Sequence, residues 1–430
     1  MRIAYVSDFL PGCHLRSGGA DWACLRAGEL ISANNIQVEY FTLYPDPAKA
    51  SVGTPVRDKT INGIHFIPII EQFLPRSLAR CLEVLKWYIL QFDPIAFFCF
   101  LNFFLRNRPD IVHIHRIRFL TMSAVLAAGI LRIPMCFSVY DYWMFCALET
   151  LTDNQNRPCR KFHGLWCWKC LPNKFIWFQQ ALLIHRRYFF DKCLGRFKKF
   201  VVLSRHSAGI LKEYGIPEDK IAVIPLPYDW QSYEMESVDL AEPDTLVYIG
   251  WIQKRKGLDV LLKALVKVKL KVPGVKLYCL GPDVTWENDY RMYVDNLIRE
   301  GGLSESVVWV GPVPNKTVQR FIQSAEVVVV PEQWENMSPV IVGEAMFNQR
   351  PVIGSRLGGI PDFVIDGKTG LLFDPSSVDD LADKVTTLLL NKALAIEMGK
   401  IAAEAAKNAF SSKVILDKYL RLYQGMREAG

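Results

Sequence analysis

The chain has 430 residues, of which 50% are hydrophobic and 22% are charged. This composition is typical of globular proteins and excludes a disordered chain, and the length exceeds one ordinary core, so two domains are expected. Lysine and arginine outnumber the acidic residues by 51 to 44, a net charge of +7. So mild an excess suits an acidic small ligand or an anionic surface, and no nucleic-acid partner is expected.

Cysteine usage and apolar runs bear on the compartment. The eleven cysteines are an odd number and stand mostly alone in apolar stretches, which favours a reducing compartment over a secreted disulfide scaffold. The first residues contain no recognisable signal peptide. The most apolar stretch, residues 85–108, is interrupted by Asp93 and Pro94 and is too short on the far side to cross a bilayer. A cytoplasmic protein is therefore expected.

In chain order, short apolar runs alternate with segments of helical period, and the pattern restarts after a polar stretch at 227–244. Buried strands are predicted at 2–7, 37–43, 111–115, 135–140 and 199–204, and then at 244–250, 275–281, 306–311, 325–331, 350–355 and 369–373. Such alternation predicts βαβ units and parallel sheets. The expected fold is α/β, with two Rossmann-like doubly wound domains facing a central cleft. Ligands of such sheets bind at the carboxyl ends of the strands.

Three segments are expected in the domain organisation. Residues 1–230 form the N-terminal domain, with a cysteine-bearing insertion at about 144–172, and residues 231–408 form the C-terminal domain. Residues 409–430 are expected to form a final helix that packs back on the N-terminal domain.

Two glycine-containing connections follow predicted strands. Gly18 and Gly19 immediately precede the first helix, where free backbone amides and the positive end of the helix dipole favour a phosphate. A turn that needs positive φ is the simpler explanation. In the second half, Gly250 opens the basic loop "GWIQKRKG", in which Arg255 and Lys256 would neutralise a diphosphate. A solvated basic loop is the alternative there.

The stretch "PEQWENMSPVIVGEAM" follows a predicted strand and starts a helix. Ser338 is expected as the N-cap and Pro339 as the first-turn proline. Glu344 then lies among apolar residues and needs a partner. The vicinal hydroxyls of a ribose would provide one, and a salt bridge to a neighbouring helix would provide another.

These motifs, with "VSDFLP…GGA", "PDIVHIH", "VYDYW" and "RPVIGSRLGGIPDFVIDGKTGLLF", resemble the glycosyltransferase family 4 enzymes over nearly the whole chain. The resemblance implies a retaining GT-B transferase that takes a sugar from a nucleotide-diphosphate sugar. It implies that Glu344 binds the donor ribose and that Lys256 faces the diphosphate, which Gly18 and Gly19 approach from the other domain. The stretch that would contact the sugar and phosphate comprises Glu335, Asn336, Met337 and Ser338. No metal or other cofactor is required for the transfer.

Three positions depart from the family pattern. Glu335 is separated from Glu344 by eight residues where the family has seven, so either the loop bulges or Asn336 takes the place of the first acid. Trp251 stands where many members have arginine, and Arg255 would restore the charge. Tyr140 replaces the family's usual histidine before "DYW", near the reacting sugar. A transfer in which the diphosphate oxygen itself takes the acceptor's proton is compatible with that replacement.

Four cysteines follow "YDYW" with the spacing C-x12-C-x7-C-x2-C, namely Cys146, Cys159, Cys167 and Cys170. The last two have the spacing of a zinc knuckle, and the other two would complete a tetrahedral site for zinc or an iron–sulfur cluster. The alternative is a set of reduced or disulfide-paired thiols in a loop.

The expected function is glycosyl transfer from a nucleotide-diphosphate sugar to a glycan or lipid-linked saccharide acceptor. A nucleotide-sugar epimerase of the same architecture and a non-catalytic nucleotide-binding subunit are the alternatives. Residues 76–104 and 173–200 combine aromatic side chains with lysine and arginine. Helices that cover the sheet would have this composition, and so would a peripheral surface on an anionic membrane at its inner face.

Overall fold

In the computed structural model, the described residues are 1–14, 19–44, 63–86, 90–146, 148–153, 157–162, 167, 169–170, 178–227, 242–284 and 288–428. Gly18, the predicted boundary between residues 230 and 231, and parts of the cysteine-bearing insertion and of residues 173–200 lie outside these ranges.

The first half contains a parallel sheet of seven strands with helices on both sides. Its strands are β1 (Arg2–Ser7), β2 (Gln37–Leu43), β3 (Ile64–Ile67), β4 (Ile111–Arg116), β5 (Met135–Val139), β6 (Lys199–Val202) and β7 (Ile221–Val223). Its helices are α1 (Gly19–Ser32), α2 (Arg76–Leu85), α3 (Pro94–Asn107), α4 (Ser123–Ile130), α5 (Phe178–Leu194) and α6 (Arg205–Tyr214). The strand order is β3-β2-β1-β4-β5-β6-β7. This order places β1, β4 and β5 side by side in the middle of the sheet.

The second half repeats the design with six parallel strands. They are β8 (Thr245–Ile249), β9 (Lys276–Leu280), β10 (Val307–Gly311), β11 (Val327–Val330), β12 (Val352–Ser355) and β13 (Gly370–Phe373), in the order β10-β9-β8-β11-β12-β13. Its helices are α7 (Leu258–Lys271), α8 (Asn288–Glu300), α9 (Asn315–Ser324), α10 (Val340–Phe347), α11 (Ile360–Phe363), α12 (Val378–Leu390) and α13 (Lys392–Phe410), and a last helix, α14 (Ser412–Glu428), follows. The two sheets confirm the expected α/β fold with two doubly wound units.

The central strands are buried nearly throughout because helices cover both faces of each sheet. β1, β4, β5, β11 and β12 consist almost entirely of buried positions, which is why they read as continuous apolar runs. The edge strands β3 and β7 are partly exposed and have only four and three residues, and they were not predicted. At α3, Asp93 accepts the Ala96 N–H and Pro94 is the first helical residue, so these two residues begin the helix.

The last helix packs on the first half of the chain. The Tyr423 hydroxyl lies 2.7 Å from both the Tyr5 hydroxyl on β1 and Nδ1 of His113 on β4. Tyr419 and Tyr423 also join the apolar cluster of α1 and the first sheet. Ser411 alone separates α13 from α14, so the chain returns to the first half there.

Three loops of the second half meet because their strands are neighbours. In a parallel sheet all carboxyl ends lie at the same edge, and β8, β11 and β12 are adjacent. The first half touches these loops: the Ser204 hydroxyl lies close to Gly359, and the His206 N–H donates to Asp362 at 2.9 Å. Among the described residues, no helix is long and apolar enough to cross a membrane.

Candidate active site

The basic loop after β8 lies directly against the end of β11. Residues Lys254–Lys256 form a single 3₁₀ turn, which Gly257 ends with φ +70°. A Cβ on Gly257 would lie 1.8 Å from the Pro331 carbonyl oxygen. Both the positive φ and this contact require glycine. The close approach brings the Lys256 side chain to the residues that follow Pro331.

Lys256, Glu332 and Asn336 form a chain of hydrogen bonds at the carboxyl edge of the second sheet. Lys256 Nζ donates to Glu332 Oε1 at 2.6 Å, and Asn336 Nδ2 donates to both Glu332 oxygens at 3.0 and 2.8 Å. Glu332 is buried, and a buried carboxylate needs partners of this kind. An ammonium has three donors, and Glu332 takes one of them. The bond to Glu332 therefore orients the Lys256 ammonium and leaves N–H groups that could donate to a ligand.

Two glycines pack against the backbone of the loop that carries Asn336. A Cβ on Gly358, whose φ is +60°, would lie 2.5 Å from the Asn336 carbonyl oxygen. Gly359 N–H donates to the same oxygen at 2.7 Å. The prediction that Ser338 caps the following helix is wrong: Pro339 is the N-cap and α10 begins at Val340. Pro339 has φ −64° and ψ 116°, an extended conformation, so the helix begins only after it.

Adjacent residues of this loop face opposite sides. Asn336 points to Glu332 and Lys256, whereas both carboxylate oxygens of Glu335 accept guanidinium N–H groups of Arg160 at 2.5 Å. Nε2 of His206 lies 3.4 Å from the same carboxylate. Burial alone would raise the pKa of Glu335, but the hydrogen bonds from His206 and Arg160 lower it to about 2. Asn336 and Lys256 both bond Glu332, and which of Glu335 and Asn336 takes the place of the family's first acid stays a prediction.

Two helix starts, one from each half, meet at this site. α1 begins at Gly19 and α10 begins at Val340, and a Cβ on Gly19 would lie 3.6 Å from Val340 Cγ2. The positive ends of two helix dipoles therefore converge there, next to the loop of Asn336. Glu344 lies in the second turn of α10 and is buried. Met337 is buried as well.

Tyr140 joins a buried network under α14. Its hydroxyl lies 3.1 Å from Nδ1 of His115, and the two rings stack. Burial and the neighbouring Tyr419 raise the pKa of Tyr140 well above its ordinary value. His113 lies next to His115 in β4, and both histidines are buried. This side chain is therefore bound into the packing of the first sheet.

The remaining departure from the family pattern concerns the basic loop. The Trp251 side chain is 44% exposed. The Arg255 guanidinium lies 4.7 Å from the centre of the Trp334 ring, and its Nε donates to Gln253 at 2.9 Å. Gly250 stands between Tyr248 and Lys256, because a Cβ there would be 3.4 Å from the Tyr248 hydroxyl and 3.8 Å from Lys256 Cδ.

Comparison with known proteins agrees with this geometry. Residues 17–231 match Glycosyltransferase Family 4, and residues 234–408 match Glycosyl transferases group 1. The chain belongs to glycosyltransferase family 4. Among curated relatives, the D-inositol 3-phosphate glycosyltransferase of Corynebacterium aurimucosum is 28% identical over 218 residues, which are 47% of this chain and 51% of that protein. The chain spans about half the length of the curated relatives it matches first.

Solved structures of this fold match over the full length. HepE of Anabaena, solved in complex with UDP and glucose, has a TM-score of 0.71 at 14% identity, covering 99% of this chain and 100% of that one. Sucrose-phosphate synthase of Thermosynechococcus elongatus has a TM-score of 0.68 at 21% identity, covering 100% of both chains. At these identities the likeness establishes the GT-B fold of this family 4 member.

The first half contributes charged residues to the site that no sequence motif marks. Arg118 pairs with Glu149 and lies over the ring of Trp143, 4.9 Å from its centre. Burial and the charge of Asp141 raise the pKa of Glu149, although Arg118, Arg116 and, from the other half, Arg255 oppose that shift. The only sequence signal for these residues is their position after β4 and β5, at the carboxyl edge of the sheet.

Two of the four clustered cysteines are close neighbours. Burial raises the pKa of the Cys146 thiol, although the backbone N–H groups of Leu148, Leu151 and Thr150 oppose that shift. Cys170 N–H donates to the Cys167 carbonyl at 3.0 Å, which closes the C-x2-C turn. All four are partly buried. Among the described residues, no group of three or more His, Cys, Asp or Glu side chains is placed to hold a metal ion. The metal site remains a prediction.

Proposed function

We propose that this family 4 member is a retaining glycosyltransferase that moves a sugar from a nucleotide-diphosphate sugar to a glycan or lipid-linked saccharide. The observation that carries the proposal is the meeting of the two helix starts, at Gly19 and Val340, beside the chain from Lys256 through Glu332 to Asn336. Helix starts with an ammonium group nearby are suited to a diphosphate.

In this reaction, Glu344 would accept hydrogen bonds from the ribose hydroxyls of the sugar nucleotide, and the Lys256 ammonium would donate hydrogen bonds to its diphosphate. The bond between the anomeric carbon and the diphosphate oxygen breaks, and the diphosphate leaves with both electrons. An acceptor hydroxyl oxygen bonds to the carbon on the same face and passes its proton to the leaving oxygen. The protein positions the two substrates and stabilises the departing charge, with no metal or other cofactor.

A lipid-linked acceptor is proposed from the outer surface of the first half. Large apolar side chains of the α2 and α3 region are exposed, among them Phe73, Leu78 and Phe98 at 67%, 54% and 65%. Arg106 and Arg108 are exposed at the end of α3. Apolar side chains flanked by cations suit an anionic lipid surface. Together with an odd number of cysteines, eleven, that stand mostly alone in apolar stretches, this favours a cytoplasmic protein that binds the inner face of a membrane peripherally.

Release of nucleoside diphosphate tests the proposal. UDP-glucose is the first donor because the similar HepE structure contains UDP and glucose, and GDP- and ADP-sugars follow, each with and without a membrane extract as the acceptor source. We expect release from one donor to be stimulated by the extract and to be lost in Glu344→Ala. The control is Glu300→Ala, which changes an exposed acid at the end of α8.

One observation favours the non-catalytic alternative. Tyr140, which replaces the family's usual histidine, contacts His115 in the packed first sheet. A subunit of that kind would bind nucleoside diphosphate and release none from any donor. An epimerase would instead interconvert two nucleotide sugars without an acceptor. Analysis of the nucleotide products therefore separates all three functions in one experiment.

A further inference from the structure

Arg160 lies in the cysteine-bearing insertion, directly after a short antiparallel pairing. Thr152 and Pro158 form an antiparallel bridge, and Cys159 N–H donates to the Leu151 carbonyl at 2.7 Å. Arg160 follows directly. This pairing therefore fixes where the Arg160 side chain begins and which way it can extend.

Arg160 belongs to the first half of the chain and contacts the loop from Pro331 to Pro339 in the second half, which is called the donor loop below. Its two terminal nitrogens donate to the two oxygens of Glu335 at 2.5 Å, and its Nε donates to Glu213 on α6 at 2.7 Å. The Glu335 side chain is 5% exposed and that of Glu213 is 55% exposed. A bidentate pair with a buried carboxylate is strong and directional, whereas an exposed pair contributes little.

The loop from Pro331 to Pro339 is thereby held from both sides. Gly358 and Gly359 hold the Asn336 backbone from the second half, and Arg160 holds the next residue, Glu335, from the first half. The Asn336 side chain then points to Glu332, which orients Lys256. A shift of Glu335 must move Asn336, because the two are adjacent in the chain.

We propose that Arg160 and Glu335 are positioning residues that set the donor loop for the nucleotide-sugar. The proposal rests on the proposed function and assigns Glu335 a task other than contact with the sugar. It also gives the insertion a task, which is to bring an arginine of the acceptor half to the donor half. Arginine is required because lysine cannot form the two parallel bonds.

Donor kinetics test the positioning role. We expect Arg160→Ala and Glu335→Gln each to raise the KM for the sugar nucleotide more than they lower kcat, with kcat/KM falling by about 10- to 100-fold for a loop displaced by about 1 Å. Arg160→Lys should fall between wild type and Arg160→Ala. The double variant should be no worse than either single one, because both remove the same contact.

Glu213→Gln is the matched control, since it removes the exposed partner of Arg160 and leaves the buried one. It should keep kcat/KM close to that of wild type. If Glu213→Gln loses as much as Glu335→Gln, or if the single effects add in the double variant, the positioning role is overturned.

A second measurement does not depend on activity. Chymotrypsin cleavage after Phe162 reports on release of the insertion, and none of the substitutions changes this site. Cleavage should accelerate in Arg160→Ala and Glu335→Gln and stay slow in Glu213→Gln, and equal rates in all three would argue against the contact. If wild type binds no UDP, GDP or ADP, the proposed function fails and the positioning role with it, while cleavage still reports on the contact.

Discussion

At the scale of single residues, adjacent side chains of one loop make different contacts. Glu332 and Asn336 orient Lys256, whereas Glu335 faces the opposite side of the loop. Three of these four residues belong to one short loop that leaves β11. A change of one residue in its register would exchange the roles of Glu335 and Asn336.

Replacement of Lys256 tests the orientation of its ammonium group. Lys256→Met removes the donor that would stabilise the leaving diphosphate, so we expect kcat to fall by about 100- to 1,000-fold, the usual effect of removing one such donor. Steady-state release of nucleoside diphosphate measures this. Lys263→Met, a change of a half-exposed lysine on α7, should leave kcat unchanged, and an equal loss in both variants would contradict the assignment.

The motif residues show what sequence can predict at this scale. Glu344, Lys256 and Gly19 could be singled out from their positions after predicted strands and from the family resemblance, and their roles stay predictions. Glu332 and Arg160 were not, because their roles arise from contacts between segments that are distant in the chain. The position of Ser338 was predicted wrongly because serine is a common N-cap and the following proline was expected inside the helix.

At the scale of elements, α14 covers a set of buried polar side chains on the first sheet. His113 contacts Tyr423 at 2.7 Å and Ser138 at 2.8 Å, while Tyr5 and His115 pack against its ring. Burial lowers the pKa of His113 to about 3, and burial together with His113 lowers the pKa of His115 well below its ordinary value. Both imidazoles are therefore neutral in the folded chain.

This predicts that the chain loses stability as pH falls below 6.5. The unfolded chain then takes up a proton that folded His113 refuses until about pH 3, so the free energy of unfolding falls by up to about 1.4 kcal/mol per pH unit for this residue. Urea unfolding between pH 5 and 8 measures the slope. His113→Gln should flatten it, and His185→Gln, at an exposed position of α5, should not. An unchanged slope in His113→Gln would contradict the buried neutral state.

The four-cysteine insertion makes a second prediction at this scale. Cys146, Cys159, Cys167 and Cys170 would provide the four thiolates of a tetrahedral site, as their number and the C-x2-C spacing of the last two suggest. Protein purified without oxygen should contain about one zinc ion or one iron–sulfur cluster per chain. Elemental analysis measures it. Cys167→Ser should lose the metal, and Cys81→Ser, at an exposed position of α2, should retain it. Metal-free wild type would refute the site.

Elements were predicted well where burial is complete and poorly where it is not. Each predicted strand, such as those at 37–43 and 369–373, corresponds to a strand within two residues at either end. β3 and β7 were missed because strands of four and three residues are too short to give a clear periodic pattern. A final helix on the N-terminal domain was expected, but the tyrosine–histidine contacts that hold it there have no local sequence signal.

At the scale of the whole molecule, one surface of the first half combines exposed apolar side chains with cations. The exposed Phe73, Leu78 and Phe98 lie in the first half, near α2 and α3. The protein has a net charge of +7, which adds a long-range attraction to anionic lipid. An apolar surface with cations beside it would orient the acceptor half toward the membrane.

Sedimentation with vesicles that contain phosphatidylglycerol tests this orientation. Wild type should bind at low salt and be released at high salt, because salt screens the attraction. Phe98→Ser should weaken binding by about tenfold or more, as expected for the lost burial of one aromatic side chain. Leu270→Ser, which changes an 83% exposed residue of the second half, should bind like wild type. A protein that stays in the supernatant at low salt would refute the membrane surface.

The return of α14 to the first sheet has a consequence for protein engineering. A fragment that ends after β7 would lack Tyr419 and Tyr423, and the faces of Tyr5 and His113 that they cover would be open to water. Exchange of sugar specificity between relatives must therefore replace an internal cassette, from the segment after β7 to Ser411, and leave residues 412–428 with their own N-terminal half. A chimaera joined at a single crossover after β7 would pair the first sheet with a foreign α14.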